Sequence, residues 1–109
     1  MINIVKYENV PIADTPHQVD VRQLFETAHL SIMGIKLGYG QGLQKHVSDV
    51  DVFFYILEGH GIVEIEDEQE HVSQDMLIKS PGGMAHTVMN DGDEPLRFLV
   101  IRTPDSPTA

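Results

Sequence analysis

The side chains in this sequence best suited to chemistry are six histidines: His17, His29, His46, His60, His71 and His86. An imidazole can ligate a metal or exchange a proton near neutral pH. The chain has no cysteine. Disulfides, iron–sulfur clusters and thiol nucleophiles are therefore excluded, and any metal would be held by nitrogen and oxygen. Paired imidazoles suit zinc, iron, copper or nickel, but tight sites use three or four protein ligands. Other chemistries find little support. Ser31, Ser48, Ser73 and Ser80 lack the G-x-S-x-G elbow of a serine nucleophile. Glu58, Glu64 and Glu66 are spread along one hairpin rather than set as a glycosidase pair. No glycine-rich loop opens a helix to hold a nucleotide phosphate.

The elements that must position these histidines read as short strands with glycine and proline between them. Residues 2–7 alternate and suggest an edge strand. Residues 19–25 lean to strand, and 29–37 form a clearer one. Residues 50–57 are almost continuously β-branched and aromatic, as expected for a strand buried on both faces. A turn at 58–61 leads to a strand at 62–66, an acidic hairpin tip at 67–70 and a return strand from His71. Further strands are expected at 76–79, 86–90 and 96–101. This pattern predicts an all-β sandwich or barrel. The chain, 1–109, reads as a single domain: a strand segment at 1–12, a core barrel over 29–102 and a frayed tail at 103–109.

Two spaced motifs carry a family resemblance. Gly40, His46 and Gly59 match a G-x5-H-x-H-x3-4-E-x6-G pattern, and Pro81, Gly83, His86 and Asn90 match G-x5-P-x-G-x2-H-x3-N. Together they span residues 40–90, in the right order. The chain thereby resembles the cupin superfamily. The resemblance implies a double-stranded β-helix, a small jelly-roll barrel, and a divalent metal held by three residues of the first motif and one histidine of the second. This chain departs from the pattern at three places. Ser48 replaces the second histidine, Val52 replaces the glutamate, and Asp75 stands where the second motif begins with glycine.

Only His46 and His86 therefore stand at metal-ligand positions. Residues two apart on a strand share a face, so Ser48, Val52 and Phe54 should face inward with His46, and Val88 and Asn90 with His86. Ser48, Val52, Phe54 and Val88 then line a pocket beside the pair. Asp51 would become a third ligand if the strand bulged there, but parity alone turns it to solvent. Gln44 shares parity with His46 and offers an amide oxygen. His17, His29, His60 and His71 fall in loops, turns or strand ends.

Composition bounds the partners. Seventeen acidic residues against seven basic ones give a net charge of −10. That charge disfavours nucleic acid and anionic membranes, and no apolar run is long enough to span a bilayer. Residues 1–6 do not read as a signal peptide, so a cytoplasmic protein is expected. On the long strand Phe53, Tyr55 and Leu57 form a second apolar set, and Ile2, Ile4 and Val5 another; both suggest a homodimer that covers them. The reading is a small-molecule cupin with a partly degenerate site for zinc, iron, manganese or nickel. One alternative is a binding or sensing module with no metal. Another, by resemblance, is a metal-dependent dioxygenase, isomerase or lyase acting on a small acid or sugar. No catalytic residue is assigned.

Overall fold

The β-branched and aromatic runs become strands in the computed structural model, which describes residues 1–14 and 19–104. In chain order these are β1 (Asp20–Glu26), β2 (Ser31–Leu37), β3 (His46–Val47), β4 (Val52–Glu58) and β5 (His60–Ile65), then β6 (Glu68–Ser73), β7 (Leu77–Ser80), β8 (Ala85–Met89) and β9 (Leu96–Arg102). They form a five-stranded sheet in the order β1-β2-β9-β4-β7 and a four-stranded sheet in the order β3-β8-β5-β6. Every pairing is antiparallel. The fold is the all-β double-stranded β-helix expected from the sequence. Among the described residues no helix is long and apolar enough to cross a membrane.

Alternation along the strands sets the core. On β4, Val52, Phe54 and Ile56 are buried, while Phe53, Tyr55 and Leu57 are half-buried on the other face. Leu96, Phe98 and Val100 of β9 continue the inner layer, and Val63 and Val88 meet it from the opposite sheet. Phe54 and Phe98 pack edge to face with ring centres 6.0 Å apart. A register shift on β4 lies between Ile56 and Glu58.

Two backbone positions explain motif residues. Gly59 turns the chain from β4 to β5 at φ 85°, and a Cβ there would lie 2.3 Å from the Pro95 carbonyl oxygen. Only glycine fits. Asp75 also takes a left-handed conformation, φ 68°, which aspartate tolerates better than most residues. It thus fills the position that the motif gives to glycine. Its carboxylate accepts a hydrogen bond from the Tyr55 hydroxyl at 3.0 Å, and that bond raises the Tyr55 pKa.

Several sequence expectations are corrected. Residues 2–7 form no strand; the chain there makes a short 3-10 turn at Tyr7–Asn9. It is anchored by a side chain instead of a ladder. The Tyr7 ring lies against Gly34, with the guanidinium groups of Arg22 and Arg97 5.1 and 4.7 Å from its centre. The acidic stretch 67–70 is not all hairpin tip. The turn needs only Glu66 and Asp67, because Glu66 adopts φ 52° and Ile65 pairs directly with Glu68. Likewise β5 begins at His60, leaving Gly59 as the whole turn. His17 and the tail beyond residue 104 lie outside the described residues.

Candidate functional site

One end of the space between the sheets opens as a cavity of about 550 Å3. Its floor is apolar: Met33 and Ile35 from β2, Val52 and Phe54 from β4, and Val100 from β9. Its rim is a segment laid along β8. The Leu43 amide donates to the Val88 carbonyl at 2.9 Å, the Asn90 amide donates to the Gln41 carbonyl at 2.9 Å, and the Thr87 hydroxyl donates to the Leu43 carbonyl. This clamp carries Gln44, Lys45 and His46 to the cavity mouth. Asn90 is part of the scaffold. Its buried amide donates to the Leu37 and Glu94 carbonyls at 3.0 and 2.8 Å, and its oxygen accepts from the Gly92 amide.

The two motif histidines meet on the cavity wall. They are direct partners in the β3–β8 register, with ring centres 5.7 Å apart and planes at 75°. His86 is 6% exposed, whereas His46 stands at the open rim. The His86 ring packs edge-on against Phe54, 5.3 Å between centres. Behind it, the hydroxyl of fully buried Ser80 lies 3.0 Å from Nδ1. That contact fixes the ring and leaves Nε2 as the other nitrogen. Burial lowers the His86 pKa, and His46 and Arg102 nearby lower it further; each of these disfavours the imidazolium.

The remaining sequence candidates divide. Val52 and Phe54 line the cavity as expected, and Gln44 reaches its mouth. Ser48 is buried but does not line it. The chain leaves β3 at Val47 and changes sheet before β4, so the parity counted from His46 does not carry through. The Ser48 hydroxyl instead accepts from the Val50 amide at 3.3 Å. Val88 lies deeper, fully buried in the core and paired with Val63. Asp51 does not line the cavity, and it does not face solvent as parity alone predicts: it is 8% exposed. Val52 keeps regular pairing with Ser80 and Arg102, so no bulge forms there. The Asp51 carboxylate accepts from the Gly82 amide at 2.9 Å and faces the Lys79 ammonium at 3.6 Å.

Sequence reasoning missed Arg102. It ends β9 and follows Leu96, Phe98 and Val100 at spacing two, which places it on the cavity wall. The alternation was visible in the sequence; ending the strand at residue 101 hid it. Met33 and Ile35 share the inner face of β2 by the same rule.

A family model described as a cupin domain matches residues 33–102. The chain belongs to the cupin family. This cupin is 33% identical over 89 residues to the uncharacterized protein YrkC of Bacillus subtilis; the match takes in 74% of the chain but 47% of YrkC, about half its length. Among solved structures it is similar to one from Thermotoga maritima described as a predicted oxalate decarboxylase. There the TM-score is 0.86 at 17% identity, over 93% of this chain and 98% of that one. It is also similar to the polyketide cyclase RemF of Streptomyces resistomycificus, with a TM-score of 0.82 at 20% identity, over 98% of this chain and 82% of that one. At such identities the likeness establishes the fold, and the activities remain those proteins' own.

Cupins often bind a divalent metal, so the donors here must be tested against one. Among the described residues no three His, Cys, Asp or Glu side chains converge. The wall offers two imidazoles, while Val52 occupies the carboxylate position and Arg102 adds a cation. Two imidazoles beside a guanidinium do not make a closed site for a resident divalent ion.

Proposed function

We propose that this cupin binds a small molecule in the cavity between its sheets, with His46 and His86 as polar contacts and Val52, Phe54 and their apolar neighbours as its floor. The observation that carries this reading is the shape and lining of the cavity. Its volume of about 550 Å3 falls within the range of small-ligand sites, and its lining is largely apolar with a few convergent polar groups. No resident metal is required by this reading.

A second reading is favoured by one observation, the buttressed pairing of the two rings. In it, zinc, iron, manganese or nickel is held by His46 and His86 only when ligand oxygens, water or the Gln44 amide complete the shell. A fragment screen followed by two-dimensional NMR tests the first reading. Shifts concentrated at Met33, Phe54, His86 and Val100 are expected; binders that perturb only other surfaces would overturn it. Elemental analysis of protein purified without an affinity tag separates the two. Near-stoichiometric metal that is lost in a His46→Ala/His86→Ala variant would replace the first reading with the second.

A further inference from the structure

The charge of the cavity wall runs against the charge of the molecule. The chain carries 17 acidic and 7 basic residues, yet no aspartate or glutamate lines the cavity. Its charged residues are Lys45 and Arg102. Lys45 is exposed and tied to Glu64 at 3.2 Å. Arg102 differs. It is the last residue of β9, next in the row after Val100, and is paired with Val52 and Ser31 in the ladder. Its Nε is buried and has no hydrogen-bond partner. Nε itself is covered by protein, but Arg102 is partly exposed on the cavity wall and makes no ion pair among the described residues, so its positive charge stands uncompensated there.

We infer that the ligand of this cavity is a small carboxylate with an apolar body, its carboxylate gripped by the Arg102 guanidinium and its body laid on Met33, Ile35, Phe54 and Val100. The inference deepens the small-molecule reading and rests on it. A guanidinium presents a planar fork that matches the two oxygens of a carboxylate. His86 lies on the same wall, and its second ring nitrogen offers a neutral contact to the same headgroup. A phosphate would place more charge against this single, largely apolar cavity, where no second unpaired cation meets it among the described residues.

The test is a binding titration of the full chain, followed by NMR, with hexanoate and phenylacetate as carboxylates. Hexanamide and phenylacetamide serve as uncharged counterparts, and inorganic phosphate as the competing anion. The carboxylates are expected to bind at least about tenfold more tightly than their amides, the difference that a charge-assisted hydrogen bond supplies. Arg102→Gln should erase that preference, and Arg102→Lys should restore part of it. Equal binding of acid and amide by the native chain would overturn the inference and leave the cavity reading standing. Phosphate binding as tightly as the carboxylates would overturn the choice of carboxylate. If neither acids nor amides perturb the cavity residues, the cavity reading and the inference fall together.

Discussion

Replacing Val52 by glutamate should turn a two-nitrogen wall into a metal site. Val52 is 1% exposed, lines the cavity with His86 and Phe54, and pairs in register with Arg102. A carboxylate there would share the wall with both imidazoles. Without metal, Val52→Glu loses apolar burial and desolvates a charge. A cost of about 2–4 kcal/mol is expected, reduced by the adjacent guanidinium. With zinc or nickel at about one hundred times the dissociation constant, binding returns about 2.7 kcal/mol. For a domain of this size, 1 kcal/mol corresponds to roughly 4–8 °C in Tm. The variant should therefore melt about 10–20 °C higher with metal than without it. The native chain should move much less under the same conditions.

The assay is thermal unfolding of untagged protein with and without the metal, repeated with His46→Ala added to the variant. Removing His46 should abolish most of the metal-dependent shift. A native chain stabilised by metal as strongly as the variant would refute the reasoning, because the missing carboxylate would then not be what weakens the site. A variant that folds but gains nothing from metal would refute the placement of residue 52 beside the histidine pair.

Three other outcomes are expected. Gly34→Ala puts a Cβ 2.2 Å from Tyr7 Cε2, so it should displace the ring and cost about 1–3 kcal/mol. In urea denaturation a Tyr7→Ala/Gly34→Ala double variant should be less destabilised than the sum of the singles, and strict additivity would refute the contact. Burial, His46 and Arg102 hold the folded pKa of His86 below its ordinary value, so the unfolded chain takes up this proton first as pH falls. The stability it protects should be full above about pH 6.5 and diminish below it; a His86→Gln variant with the same pH dependence as the native chain would refute this. Homodimerisation is expected from the apolar outer surface, where Phe53, Tyr55 and Leu57 are half-buried and Met76 and Leu77 are exposed. Light scattering that shows only monomer at micromolar concentration would refute it.

Local alternation made much of this molecule legible. The inward set of Val52, Phe54 and Ile56 follows from spacing two within one uninterrupted strand. The same rule assigns Asp51 to the opposite face, where it meets Lys79 and the Gly82 amide. Parity does not carry from one strand to another. His46 and Val52 belong to different strands, since β3 and β4 lie in different sheets, and Ser48 falls between them. Which sheet a segment joins is decided by distant partners, here the Ser48 carbonyl accepting from the Gly83 amide at 2.7 Å. Val88 shares a face with His86 yet lies in the core, because depth along a barrel depends on what covers it. Leu43 and its neighbours lie over that part of β8. Ile2 and Ile4 alternate but join no ladder, and the chain there docks through the Tyr7 ring instead.

The absent carboxylate at position 52 and the unsatisfied guanidinium at position 102 are one electrostatic fact. They are neighbours across the β4–β9 ladder. With glutamate at position 52, Arg102 would have an anion within reach, and a divalent ion would have a third donor. Valine removes both at once. What remains is a wall with a guanidinium and two imidazoles, roofed by a segment whose own lysine is tied to Glu64. In a largely apolar cavity, where screening is weaker than in water, that surplus favours a ligand that brings a negative charge over one that needs a metal to hold it. Loss of the metal-type carboxylate and preference for an acidic ligand are therefore linked. Restoring the carboxylate at position 52 should strengthen metal binding and weaken carboxylate binding in the same variant. A change in only one of the two would show that the two residues act independently.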